Sequence, residues 1–244
     1  MIELVNLTKR YGKNHAVEEL NLTVPDGELF GFIGPNGAGK TTTIHMIGGL
    51  LAPTAGQVII DGVDITSDAV GVKRKIGLIP DRPFLYEKLT GIEFLQFTAD
   101  LFELNPHDFE SKSKEWLNLF GLWDRAHELI EAYSHGMKQR LVMSAALLHD
   151  PRILIVDEPM VGLDPRGIKM VRNLFRRLAD TGVTIFMSTH TLSLAEEICD
   201  RIGIINNGKL IATGTIDELK GAARLGQANL EQAFLELTQE QAMQ

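Results

Sequence analysis

Residues 34–41 read Gly34-Pro35-Asn36-Gly37-Ala38-Gly39-Lys40-Thr41, which matches the pattern G-x-x-x-x-G-K-[ST]. An apolar run from Leu29 to Ile33 leads into this stretch, and a helix-compatible run from Thr42 to Leu50 follows it. A strand, a glycine-rich turn and a helix form the context that a phosphate-binding loop requires. The successive backbone N–H groups can point at an anion, and the helix N-terminus adds a positive dipole. The stretch therefore predicts a nucleotide site rather than a glycine turn that binds nothing.

The last residues of this motif carry its most specific chemistry. Lys40 is expected to reach the β- and γ-phosphates, and the Thr41 hydroxyl is expected to hold Mg²⁺. The backbone of the loop and Thr42, which opens the following helix, would complete the phosphate cradle.

Composition excludes several classes of protein. The chain has 244 residues, a formal net charge of −8 and 44% hydrophobic residues, which suits one large α/β domain with a subdomain and argues against a general nucleic-acid binder. A lone cysteine, Cys199, rules out an intrachain disulfide and suits a reducing compartment. Because no apolar run is long enough to span a membrane, we expect a cytoplasmic protein that reaches a membrane only through a partner.

The order of elements predicts an α/β fold with an insertion. Short strands are expected at Ile2–Val5 and Asn21–Val24, and Asp61-Gly62 is a hairpin signal between two further strands. Buried parallel strands are expected at 153–156 and 183–187. The segment 84–150, which precedes these two strands, is predicted to be helical, with helices that begin at Thr90, Asn105, Asp124 and Ser134. We therefore predict a core of 1–83 and 151–219, a helical subdomain of 84–150 and a helical tail of 220–244.

Polar residues end two of the predicted strands. Asp157-Glu158 follows one buried strand, and His190 ends the next. Because open α/β sheets bind ligands at the carboxyl ends of their strands, these side chains are expected at one edge. Asp157 would bind Mg²⁺, Glu158 would act as general base and His190 would orient the attacking water. The alternatives are an acidic pair that merely precedes a turn, and a histidine that caps a helix.

A second polar turn lies at 133–140, Tyr-Ser-His-Gly-Met-Lys-Gln-Arg. The Ser134 hydroxyl, the Gly136 amide and a helix dipole could together bind an anion. In a head-to-tail dimer this element would meet the phosphate loop of the other copy. The alternative is an ordinary serine N-cap.

The order of these motifs resembles that of the ATP-binding cassette (ABC) ATPases. The resemblance covers essentially the whole chain and includes Gly162-Leu163-Asp164-Pro165 between the acidic pair and His190. It implies a P-loop NTPase (RecA-like) core with a mostly parallel sheet, an antiparallel β subdomain and an inserted α-helical subdomain. It also implies that Tyr11 stacks on adenine, that Glu158 is the catalytic base and that Asp164 lies between the two nucleotide sites of a dimer.

The same resemblance implies the cofactors and partners. Two ATP molecules with Mg²⁺ are expected between two cassettes, and the helical subdomain is expected to dock on a transmembrane permease at the cytoplasmic face of the cell membrane. Residues 229–237 resemble the C-terminal segment of cassettes that serve ABC-2 type permeases, which implies export. Apolar spacing at Leu230, Ala233, Phe234 and Leu237 is equally consistent with a helix packed on its own domain.

Two positions depart from the family pattern. The family signature reads Leu-Ser-Gly-Gly-Gln, whereas Tyr133 and Met137 flank Ser134-His135-Gly136 here. His135 is expected to restrict the backbone and could add a cation near phosphate, while Ser134 and Gly136 are expected to keep the contact with the γ-phosphate. Asp81 stands where the family has a glutamine that links Mg²⁺ to the helical subdomain, and its carboxylate could reach the metal through water.

Two other functions would leave different patterns in the sequence. A non-transport ABC ATPase acting in translation or on DNA would carry two cassettes or a long coiled coil, and neither pattern occurs. A regulator that binds nucleotide without hydrolysis would not need both Glu158 and His190.

Overall fold

The structure, a computed structural model, describes residues 1–222, 231–232 and 234–235. Within residues 1–222 the strands are β1 Ile2–Tyr11, β2 Asn14–Val24, β3 Leu29–Ile33, β4 Ala55–Ile60, β5 Val63–Asp64, β6 Ile76–Ile79, β7 Ile153–Asp157, β8 Thr184–Thr189, β9 Arg201–Asn206 and β10 Lys209–Gly214. The helices in that range are α1 Lys40–Ile47, α2 Ala69–Lys73, α3 Gly91–Leu101, α4 Pro106–Leu119, α5 His135–Leu147, α6 Pro165–Asp180, α7 Leu192–Ile198 and α8 Ile216–Ala222.

A six-stranded sheet forms the centre, in the order β10-β9-β3-β8-β7-β6. The neighbours from β9 to β6 pair in parallel, and β10 pairs antiparallel to β9. Every residue of β3, β7 and β8 is buried, because both faces of the sheet are covered. The predicted α/β class with a mostly parallel sheet is confirmed.

A separate four-stranded antiparallel sheet has the order β2-β1-β4-β5, which confirms the predicted antiparallel part. Its first two strands are longer than the predicted strands Ile2–Val5 and Asn21–Val24. The pairing of β1 with β2 shifts register between Leu4 and Leu7 and again beyond Leu7. Each shift interrupts the alternation of buried and exposed side chains, so the sequence pattern shows only the ends of this ribbon.

Two apolar clusters cover the faces of the central sheet. One face, including Phe30, Ile155 and Phe186, packs with α1 and the antiparallel sheet. The opposite face, including Leu154 and Met187, packs with helices between α3 and α8. Alternate residues of one strand therefore serve different clusters, as the period of a β-strand requires.

The helices between β6 and β7 begin close to the predicted positions. Thr90 and Glu93 form the predicted capping box of α3, and Asn105 caps α4. The cap predicted at Asp124 is wrong, because Asp124 lies inside a short 3₁₀ turn, Trp123–Arg125, without a side-chain cap. The five-residue helix α2 was not predicted, since a single turn shows no helical periodicity.

The division into domains at 83/84, 150/151 and 219/220 stays a prediction. Most of the predicted tail 220–244 lies outside the described residues. The described part of this range includes the end of α8 and Phe234, which packs against the apolar cluster that contains Leu154 and Met187. Among the helices that the structure describes, none combines the length and apolar character needed to cross a membrane.

Candidate functional site

A cleft with a volume of about 340 Å³ opens at the carboxyl ends of β3, β6, β7 and β8. Parallel strands place the residues that follow them at this one edge. The cleft is lined by Ala16, Asn36, Gly37, Gly39, Lys40, Thr41, Thr42, Asp81, Asp157, Glu158, Val161 and His190. The structure thus brings together most of the predicted phosphate, metal and catalytic residues.

The phosphate loop lies tightly against β2 and β9. Gly39 is the N-cap of α1 with a φ of 111°, a conformation that favours glycine. A Cβ atom at Gly39 would lie 2.4 Å from the Ala16 carbonyl oxygen, and one at Gly34 would lie 2.3 Å from the Ile205 carbonyl oxygen. These close approaches explain why the motif needs glycine at both positions.

Lys40 is folded over its own loop. Its Nζ donates hydrogen bonds to the Gly34 and Pro35 carbonyl oxygens at 2.7 and 3.1 Å. The side chain is buried, and this burial lowers the pKa of the ammonium, while the charges of Glu158 and Asp157 act in the opposite direction. A γ-phosphate would supply an anionic partner for this ammonium.

Asp157 is held by two hydroxyl groups. Thr41 Oγ1 donates to Asp157 Oδ2 at 2.9 Å, and Ser188 Oγ donates to Asp157 Oδ1. The side chain of Asp157 is buried at the end of β7, and Asp81 lies across the same cleft. Hydroxyl and carboxylate oxygens are ligands that Mg²⁺ prefers, so the donor set fits this metal.

Glu158 and His190 form a pair. His190 Nδ1 lies 2.8 Å from Glu158 Oε1, and Thr189 Oγ1 donates to Glu158 Oε2 at 3.4 Å. Glu158 has a positive φ of 49°, which turns its side chain out of the strand direction. A partly buried carboxylate beside an exposed imidazole can accept a proton from water.

The second polar turn lies apart from this cleft. Ser134 caps α5, since the Met137 N–H donates to Ser134 Oγ at 3.3 Å. A Cβ atom at Gly162 would lie 2.1 Å from the His135 ring, and one at Gly136 would lie 3.0 Å from the Gly162 carbonyl oxygen. This turn, which aligns with the family signature and is called the signature turn, therefore packs on the loop before α6. Its residues Ser134 to Met137 are not among the described residues that line the cleft.

Tyr133 stands at the position of the leucine in the signature Leu-Ser-Gly-Gly-Gln. Its ring is buried and its hydroxyl makes a hydrogen bond. Its Oη donates to the Arg125 carbonyl oxygen at 2.7 Å. A Cβ atom at Gly91 would lie 2.5 Å from that hydroxyl, so a glycine at the start of α3 makes room for the tyrosine.

Asp164 and Tyr11 also lie outside the lining of the cleft. Asp164 caps α6, where the Gly167 N–H donates to its Oδ1 at 2.9 Å. Tyr11 ends β1 with 53% of its surface exposed, and the Lys9 ammonium lies 5.4 Å from its ring centroid. An exposed aromatic ring is open to stacking on a base.

Sequence reasoning assigned no function to Ser188 or Ala16. A hydroxyl residue at the carboxyl end of a predicted buried strand was the available signal for Ser188. Ala16 contributes mainly its backbone, which contacts Gly39, and a backbone contact leaves no pattern in the sequence.

Comparisons with known proteins agree with this geometry. Residues 17–161 match the family described as ABC transporter. The chain is 40% identical over 226 residues to the linearmycin resistance ATP-binding protein LnrL of Bacillus subtilis (strain 168), covering 93% of this chain and 72% of that protein. It is 42% identical over 221 residues to the bacitracin transport ATP-binding protein BcrA of Bacillus licheniformis, covering 90% and 71%.

Solved structures give the same result. An ATP-binding subunit of an ABC transporter superposes with a TM-score of 0.93 and 34% identity over 98% of this chain and 99% of that one. A dimeric ATP-binding cassette in a post-hydrolysis state with ADP and Pi superposes with a TM-score of 0.81 and 26% identity over 88% and 98%. The chain belongs to the ABC transporter family, in which it is an ATP-binding subunit with ATPase activity.

Proposed function

We propose that the chain hydrolyses MgATP between two cassettes and thereby drives export by a separate transmembrane permease. The observation that carries this proposal is the split of the predicted site. Lys40, Thr41, Asp157, Glu158 and His190 share one cleft, whereas the signature turn lies outside it on α5.

Within one chain, the polar residues of the cleft divide the work of the reaction. The phosphate loop with Lys40 binds the β- and γ-phosphates. Thr41 and Asp157 would hold Mg²⁺, with Asp81 acting through water, and the bound metal would neutralise phosphate charge. Glu158 takes a proton from the water whose oxygen bonds to the γ-phosphorus as the bond to ADP breaks. His190, bonded to Glu158, orients that water.

A second copy supplies the opposite side of the nucleotide. The γ-phosphate faces the second copy's Ser134 hydroxyl and Gly136 amide, with His135 and Met137 beside them. Asp164 lies between the two nucleotide sites. Tyr11 stacks on adenine. The dimeric cassette with ADP and Pi, to which this chain is similar, supports the arrangement.

An apolar groove supports the permease contact. The groove, of about 350 Å³, lies between β6 and the helices α3 and α5 and includes Phe84, Phe94 and Phe102. Phe84 is 81% exposed, and its ring packs edge-on against Tyr86. Exposed aromatic side chains beside an apolar groove form a surface suited to binding a partner segment. We assign this groove to a permease segment, which would hold the chain at the cytoplasmic face of the cell membrane.

The relatives' names support export. One serves linearmycin resistance and another serves bacitracin transport. We infer that the permease partner of this chain moves a compound out of the cell, and that residues 84–150 act as the subdomain that couples the cassette to it.

Glu158→Gln tests the two-cassette site. The amide keeps the shape of the side chain but cannot take a proton, so ATP should bind and persist, and size-exclusion chromatography with MgATP should show a dimer. Adding Lys40→Ala to this variant should return the chain to a monomer, because the phosphates lose their cation. A monomer in both variants, with ATP bound to the first, would contradict the two-cassette site.

A further inference from the structure

Asp157 has one hydroxyl donor on each carboxylate oxygen. Thr41 comes from the helix that follows the phosphate loop, and Ser188 comes from β8, the strand next to β7. Thr41 belongs to the phosphate-loop motif. Ser188 belongs to no motif singled out in the sequence.

Ser188 is placed by the sheet itself. It pairs directly with Asp157 in the parallel register of β7 and β8, and its side chain is fully buried. Its carbonyl oxygen also accepts a hydrogen bond from the Glu158 N–H at 3.2 Å. The hydroxyl is therefore held by a rigid strand and donates to a carboxylate oxygen at the end of the neighbouring strand.

We infer that Ser188 is a positioning residue that fixes the Asp157 carboxylate for Mg²⁺ binding. This inference rests on the proposed function, in which Asp157 holds the metal. With Oδ1 bonded to Ser188, the carboxylate plane is fixed and Oδ2 faces Thr41. Residues that orient a metal ligand in this way commonly change metal affinity about 10-fold to 100-fold when they are removed.

Ser188→Ala tests the inference in the full chain. The variant removes the hydroxyl and keeps the strand and its backbone bonds. The binding of a fluorescent non-hydrolysable ATP analogue would be titrated with Mg²⁺ and, separately, measured in EDTA. We expect the Mg²⁺ concentration for half-maximal effect to rise about 10-fold, while binding in EDTA changes less than about twofold.

Thr184→Val is the matched control. Thr184 is a buried hydroxyl residue of the same strand, bonded to the Gly27 N–H at 3.2 Å and remote from the cleft. Its loss should leave the Mg²⁺ dependence unchanged. Equal Mg²⁺ dependence in the Ser188→Ala and Thr184→Val variants would overturn the positioning role, and so would an equal loss of binding in EDTA and in Mg²⁺.

Asp157→Asn separates this inference from the proposed function. If it raises the Mg²⁺ requirement while Ser188→Ala does not, Asp157 binds the metal without the help of Ser188, and only the inference fails. If Asp157→Asn leaves the Mg²⁺ requirement unchanged, the metal role proposed for Asp157 fails as well.

Discussion

At the scale of single residues, two glycines of the phosphate loop experience different constraints. Gly37 and Gly39 have φ values of 80° and 111°. No atom of the described structure lies within 4 Å of a Cβ built at Gly37, whereas one at Gly39 would meet the Ala16 carbonyl oxygen. The motif therefore needs Gly37 for its backbone angle and Gly39 for both angle and space.

We predict that Gly39→Ala destabilises the chain more than Gly37→Ala. A positive φ costs an alanine roughly 1–2 kcal/mol, which both variants share. Gly39→Ala must also push β2 away, so its free energy of unfolding in urea should fall further and its ATP binding should weaken. Equal losses in the two variants would show that the contact with Ala16 does not constrain the loop.

The sequence predicted which residues would share an edge but not how they would bond. Asp157, Glu158 and His190 follow strand-like apolar runs, and parallel strands bring such residues together. The bonds to Asp157 from Ser188 and to Glu158 from His190 depend on the register of β7 and β8, which no local pattern in the chain specifies.

At the scale of elements, His149 joins α5 to two neighbours. Its ring stacks on Phe102, which ends α3, with centroids 3.7 Å apart. Its Nε2 lies 3.0 Å from the Ile76 carbonyl oxygen of β6, so this nitrogen carries the proton. Burial lowers the pKa of the imidazole below its ordinary value of 6.5.

We predict that this histidine makes the fold less stable in acid. As the pH falls below about 6.5, the unfolded chain binds a proton at His149 that the folded chain excludes, so stability falls until the pH reaches the lowered pKa. His149→Phe keeps the stacked ring and removes the titration. The fall in Tm between about pH 7.5 and about pH 5.5 should be smaller in this variant.

His107→Phe is the control for that experiment, since the side chain of His107 is 93% exposed. Its fall in Tm over the same interval should match that of the parent chain. A His149→Phe variant that also matches the parent would show that His149 does not couple folding to pH.

Helix starts were more predictable than strands. Three of the four helix starts predicted between 84 and 150, at Thr90, Asn105 and Ser134, are caps in the structure, because a cap is a local hydrogen bond. The β1–β2 ribbon was only partly predicted, because its register shifts depend on pairing between distant residues.

At the scale of the whole molecule, the order of the motifs predicts the α/β class and the family. It does not predict the apolar groove that includes Phe84. The groove needs β6, α3 and α5 to be packed together, and its aromatic residues come from separate parts of the chain. Sequence alone indicated a helical docking subdomain without locating its surface.

We predict that Phe84→Asp releases the permease. When the chain is co-expressed with its permease and purified in mild detergent, the bound permease should fall about 10-fold or more, since a central interface aromatic contributes about 2 kcal/mol or more. ATP binding should stay unchanged. Leu129→Asp, at an exposed leucine outside the groove, should keep the permease, and an equal loss in both variants would place the contact elsewhere.

The packing of the signature turn on the loop at Gly162 has a consequence for reaction order. In the proposed site, one chain holds ATP against Lys40 while the hydroxyl of Ser134 faces another chain's nucleotide. Hydrolysis by free chains is then second order in protein and slow when they are dilute. Two chains held side by side by a permease are at a high local concentration, so ATP is consumed mainly where transport can use it.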